Sequence, residues 1–154
     1  MSVADRLASL GLALPEVAAP AGAYLPAVRS GMHVYTAGQL PFVSGALPAS
    51  GKVGEGHGLV PAVDAKDYAR IAALNALAAA GSVVPLDAVV RVVKVVVFVA
   101  SDPSFTGQPG VANGASELLA EVFEDAGRHA RSAVGVAVLP LDSPVEVELV
   151  LEVA

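Results

Sequence analysis

His129-Ala-Arg-Ser-Ala-Val-Gly-Val-Ala-Val-Leu-Pro-Leu-Asp-Ser-Pro-Val-Glu-Val-Glu-Leu-Val-Leu-Glu-Val-Ala154 decides the fold of this 154-residue chain. It reads as two alternating strands around a Pro-X-X-X-Pro turn, because strand side chains point to opposite faces at every step. In the first strand Arg131 shares a face with Ala133, Gly135 and Ala137, and Val134, Val136 and Val138 take the other. In the second, Val145, Val147, Leu149, Leu151 and Val153 form one apolar face opposite Glu146, Glu148 and Glu152. Such alternation belongs to a sheet with one dry face.

Arg131 has two readings. As an ordinary strand charge it is solvated, the usual state of arginine. As an anion clamp it uses its planar fork of donors to hold a carboxylate in two parallel hydrogen bonds, which a lysine point charge cannot reproduce. The three small residues on its face would then be the floor of a pocket.

The length suits one domain with a single core. Hydrophobic residues make up 55% of the chain, charged residues 16% and aromatics 5%, so Val and Ala do most of the filling. Some apolar surface is therefore left for a partner subunit, and an oligomer is expected. The net charge of -6 repels phosphate backbones and makes nucleic acid a poor partner. With no cysteine there is no disulfide, thiol nucleophile or thiolate metal site. Residues 1–14 lack the pattern of a secretory signal, and the apolar run 92–100, interrupted by Lys94, falls far below the roughly 20 residues of a membrane span. A soluble, cytoplasmic protein is expected.

In chain order, Val3–Leu10 predicts a short helix stopped at Gly11, followed by a Pro- and Ala-rich connector over 15–20. Tyr24–Arg29 and His33–Ala37 flank Ser30-Gly31-Met32 as a hairpin. From Phe42 to Pro61, glycines and prolines without periodicity predict a long loop carrying Lys52, Glu55 and His57. Asp64 is placed as the N-cap of a helix ending at Gly81. Val89–Ala100 reads as a strand buried on both faces, where the opposite parity of Arg91 and Lys94 requires either opposed side chains or a bulge. A second long helix is predicted over 112–126 and stopped by Gly127. The result is a single α+β domain over residues 1–154, its two main helices on one sheet face.

Motifs for phosphate loops, zinc proteolysis and the hydrolase elbow are absent. His33, His57 and His129 lack metal spacing and read as turn or strand-end residues. Tyr24, Gln39, Asn113, Arg131, Ser132 and Glu146 remain as polar groups of a small pocket. A carboxylate buried there would have a raised pKa and could pass a proton or hold a water; Glu146 competes with Glu148 and Glu152 for that role. If the last two strands form a simple hairpin centred near Leu141, Arg131 and Glu146 lie roughly 17 Å apart. A shared site would then need another strand arrangement or a second subunit.

Tyr24, His33-Val-Tyr-Thr-Ala-Gly-Gln-Leu-Pro41, Val95-Val-Val-Phe-Val99, His129-Ala-Arg-Ser-Ala-Val134, Leu139-Pro140 and Val145-Glu-Val-Glu148 together resemble the Rid (reactive intermediate deaminase, YjgF) proteins. The likeness runs over about residues 21–154. It implies a chorismate-mutase-like fold and a homotrimer whose sheets form a central barrel with ligand clefts between subunits. It implies no cofactor. By this resemblance Arg131 would hold the carboxylate of an enamine or imine, Glu146 would attend the attacking water, and Tyr24 would form an aromatic wall. Gly38 and Ala133 would offer backbone groups, and Asn113 would line the site.

Two residues depart from the family pattern. The serine usual before the Gly-Gln-Leu-Pro-like segment is Ala37, and the frequent cysteine two residues after the arginine is Ala133. The 42–61 loop and the N-terminal helix also mark a subgroup distinct from typical deaminases. Three functions follow: an enamine/imine deaminase, a non-catalytic module for small carboxylates such as keto acids, and an endoribonuclease or translation inhibitor. The acidic charge counts against the last.

Overall fold

The strand with the wholly apolar face lies at the centre of the sheet. The computed structural model describes residues 1–154. In order it contains α1 (Val3–Ser9), β1 (Ala27–Ser30), β2 (His33–Thr36), α2 (Ala62–Gly81), β3 (Val89–Ala100), α3 (Gln108–Phe123), β4 (Ala130–Val136) and β5 (Val145–Val153). The strands are arranged β1-β2-β5-β3-β4, antiparallel except for the parallel pair β3/β4. Val145, Val147, Leu149, Leu151 and Val153 are all buried under the helices, and burial of each stabilises the fold by roughly 1.5–3 kcal/mol.

The last two strands do not form a hairpin. They lie on either side of β3, with Val95 paired to Arg131 on one side and to Leu149 on the other. A parallel pair needs a crossover, and α3 supplies it by returning the chain from the end of β3 to the start of β4. The connection to β5 then passes over the end of β3, where Ser101 N–H donates to Val136 O and Ala100 N–H to Pro144 O. Leu141 and Asp142, both at positive φ, turn the chain there.

Strand β3 alternates and is not buried on both faces. Val92, Val95, Val97 and Val99 are buried toward the helices, and Lys94, Val96 and Phe98 on the other face are only half-buried, as is Val93 at the bulge. The register slips between Val92 and Lys94, so this bulge carries Arg91 and Lys94 to the same outer face, opposite Glu152 and Val150. Val28, Tyr35 and Val134 of that outer face are exposed, and Val96, Phe98 and Val150 lie between them.

Helix ends depart locally from the predictions. Ser2 caps α1 in a reciprocal box with Asp5, and Gly11 takes the expected left-handed conformation. Pro61, not Asp64, precedes α2; Asp64 sits in its first turn, where its charge favours the helix dipole. Helix α3 begins at Gln108, four residues before the predicted start, because Pro109 is well suited to a first turn, where a missing N–H costs nothing. The two long helices run side by side, tied by Lys66–Glu117 and Arg70–Glu121 ion pairs.

The 42–61 loop contains no helix and only isolated bridges. Its middle is nonetheless fixed to the end of β3: Val53 is fully buried, its N–H donates to Ala100 O, and its carbonyl accepts from Asp102 N–H. No helix is long and apolar enough to cross a membrane.

Candidate functional site

Arg131 points to the helix side of the sheet at the open edge of β4. It shares the face of Val95 and is half-buried against α3. Its Nη1 donates to Asn113 Oδ1 at 2.7 Å and to Ser116 Oγ at 3.2 Å. No carboxylate pairs with it, and Nε and Nη2 have no protein acceptor. Holding the guanidinium by one nitrogen leaves the Nε/Nη2 edge free, the geometry that accepts a carboxylate side-on.

Ala133 continues the floor beside Arg131 and packs on the core. Beyond it Gly135, Ser101, Gln108 and Lys52 line a cleft of about 310 Å³. A Cβ on Gly135 would lie 2.7 Å from Gln108 Nε2. Absence of a side chain there keeps the amide against the strand, where Gln108 donates to Ser101 Oγ and Phe105 O.

Ser116 also faces His129. The ring nitrogen Nδ1 of His129 lies 2.6 Å from Gly127 O, and Nε2 lies 2.9 Å from Ser116 Oγ. Sequence reasoning set His129 aside as a strand-end residue and did not find Ser116. The available signals were spacings: Asn113 and Ser116 lie three apart on one helix face, and His129 has the strand parity of Arg131.

Glu146 occupies the opposite, outer face of the sheet. Through the Arg131–Val95–Leu149 register it lies two strands across and three residues along from Arg131, about 14 Å between backbones at ordinary strand spacings. One chain therefore does not bring the two residues together. Burial, with a smaller contribution from Glu148, raises the Glu146 pKa above the usual carboxylate value.

Gly38 lies directly against this carboxylate: a Cβ there would approach Glu146 Oε1 to 2.1 Å. The contact is fixed by backbone pairing, since Gln39 and Val147 exchange both N–H···O bonds. Thr36 Oγ1 accepts from Leu149 N–H, and buried Asn75 on α2 donates to Leu40 O and Phe42 O. These bonds pin the 36–42 segment on both sides. Ser132 shares the outer face with Glu146, as do Glu148 and Glu152.

Tyr24 lies on the exposed connector before β1, its hydroxyl accepting from Ala21 N–H. A larger cavity of about 690 Å³ lies between residues 15–19 and Phe42–Gly45, with Asn75 at its base. None of the candidate ligand-binding residues lines it, and its size does not outweigh the charge and open donors at Arg131.

A central β5 between β2 and β3, one helical layer and an arginine at the edge of β4 make a distinctive arrangement, and residues 4–153 match the family described as "YjgF/chorismate_mutase-like, putative endoribonuclease". The chain belongs to this family. The α+β chorismate-mutase-like fold expected from the sequence resemblance is the one observed. Protein TCP17 of Trypanosoma cruzi is 47% identical over a 161-residue alignment covering 97% of this chain and 93% of that protein. Atu1372 from Agrobacterium tumefaciens, a crystal structure of unknown function, is 40% identical with a TM-score of 0.90, covering 99% of this chain and 92% of the other. E. coli TdcF, crystallised with bound serine, is 25% identical with a TM-score of 0.63, covering 92% and 94% of the two chains.

Proposed function

We propose that the protein binds small 2-imino and 2-keto carboxylates at Arg131 and hydrolyses reactive enamine or imine intermediates to 2-keto acids. The carrying observation is the half-buried guanidinium, fixed through Nη1 with its Nε/Nη2 edge unpaired above a floor of small residues. Serine bound to TdcF supports a ligand of amino-acid size and charge. In the reaction, water adds to the imine carbon, and the nitrogen leaves as ammonia once it has gained a proton. Glu146 orients that water, and its charge stabilises the positive charge building on the attacking oxygen.

Because Arg131 and Glu146 face opposite ways in one chain, the complete site requires two subunits. The assembly proposed is a homotrimer, joined through the outer faces that expose Val28, Tyr35 and Val134. Sedimentation equilibrium is expected to give three chains per particle at micromolar concentration. A stable monomer that still turns over substrate would sink the shared site.

Glu146→Gln separates catalysis from binding. Ammonia release from enamines generated in situ should fall about 100-fold, with 2-ketobutyrate affinity measured by calorimetry changing less than about threefold. The same substitution should raise Tm at pH 7 and change little near pH 4. A carboxyl with a raised folded pKa is stabilising when protonated, and that contribution is lost as pH rises through the folded value, so removing the charge helps only above it.

A keto-acid-binding module is the second reading. Ala37 in place of the family serine favours it, since one hydroxyl that could hold ligand or water is missing. Tight 2-ketobutyrate binding with no ammonia release by the unmutated protein would establish it over the hydrolase.

A further inference from the structure

We propose that the cavity between the N-terminal connector and the Phe42–Gly45 turn is a second ligand site, which takes a small aromatic amine: a ring bearing an N–H donor, with an alkylammonium arm. The site does not depend on the hydrolysis proposed at Arg131.

At about 690 Å³ the cavity has the size of small-molecule sites. Asn75, only 6% exposed, lies at its base. Its Nδ2 donates to Leu40 O at 2.9 Å and to Phe42 O at 3.1 Å, and two carbonyl partners fix which way the amide faces. Oδ1 receives no protein donor. Since no enclosed side-chain oxygen of the chain is left without a partner, Oδ1 opens into the cavity that Asn75 lines. Donation of both Nδ2 hydrogens strengthens it as an acceptor. A buried acceptor of this kind is satisfied by a ligand N–H or O–H and rejects a ligand oxyanion.

The walls set the rest of the ligand. Pro15, Val17 and Phe42 make them apolar, and Phe42 adds a ring on which a flat ligand packs. The lining holds one carboxylate, Glu16, which pairs with no cation of the chain, and it holds no Lys, Arg or His. With a net charge of -6 over the whole chain, a ligand cation is favoured there over an anion. The wall is also formed in advance. Val43 and Ala46 exchange both N–H···O bonds around Ser44 and Gly45, both at positive φ, and Asn75 holds Phe42 O. A wall already in place costs a ligand little ordering entropy.

Tryptamine is the probe, its indole N–H meeting Asn75 Oδ1 and its ammonium meeting Glu16. Calorimetry on the unmutated protein should give a Kd below about 1 mM. Tryptamine methylated on the ring nitrogen should bind at least about tenfold more weakly; this tests Asn75 without removing the amide that anchors Leu40 and Phe42. Glu16→Gln, at an exposed position, should weaken tryptamine about threefold. Ala18→Phe fills the cavity from the connector and should abolish tryptamine binding, with 2-ketobutyrate affinity unchanged. Arg131→Ala should leave tryptamine affinity within about twofold, as for independent sites. A Kd above about 1 mM, equal affinities for tryptamine and its ring-methylated form, or binding that survives Ala18→Phe would each overturn the site. Loss of tryptamine binding in Arg131→Ala would overturn it as well, by placing the amine at the arginine.

Discussion

Arg131→Ala is expected to abolish measurable 2-ketobutyrate binding and with it enamine turnover. A carboxylate on the Nε/Nη2 edge accepts two charge-assisted bonds, each worth about 1.5–3 kcal/mol, so their loss weakens binding by more than about 100-fold. Arg131→Lys should restore little, because a single ammonium cannot span both carboxylate oxygens and also reach Asn113 and Ser116. The fold should survive: the bonds lost tie β4 to α3 at a half-exposed edge, costing about 1 kcal/mol, or about 2–4 °C in Tm. Calorimetry on both variants checks this, and affinity in Arg131→Ala within threefold of the unmutated protein would remove the site from Arg131 altogether.

What the sequence made legible was what depends on parity. The dry face of β5, the company of Arg131 with Ala133 and Gly135, and the conflict between Arg91 and Lys94 all follow from alternation, and the structure has each of them. Where strands lie relative to one another does not follow from parity. A Pro-X-X-X-Pro turn suits a hairpin as well as a passage over a strand end, and only the docking of β3 between β4 and β5 decides. The expectation that Arg131 and Glu146 meet only through another strand arrangement or a second subunit rests on a hairpin that does not exist. Separation of Arg131 and Glu146 arises instead from opposite faces of the sheet.

Helix starts were misplaced for a related reason. Gln108-Pro109-Gly110 has the composition of a turn, yet proline and glycine cost little in a first turn whose N–H groups have no helical partner. Contacts such as Ser116–His129 were illegible because they join α3 to the approach of β4, and no local pattern reports that distance.

Gly114→Ala should lower stability more than any single side-chain loss at the edge of the sheet. Gly114 on α3 faces α2, where a Cβ would lie 1.9 Å from Lys66 O and 2.9 Å from its carbonyl carbon. Backbone cannot rotate aside as a side chain does, so the helices must separate by more than an ångström. That movement stretches the Lys66–Glu117 and Arg70–Glu121 pairs and opens the alanine layer beneath α2. Overpacking of this kind costs about 3 kcal/mol, whereas the gain in helix propensity from Gly to Ala is about 1 kcal/mol, so packing wins. The net loss of about 2 kcal/mol corresponds to a fall of about 4–8 °C in Tm. Gly110→Ala, in the same helix with open space where its Cβ would lie, isolates the propensity gain and should raise Tm slightly. Equal Tm values for the two variants in calorimetric melts would show that α2 and α3 are not in backbone contact at Gly114.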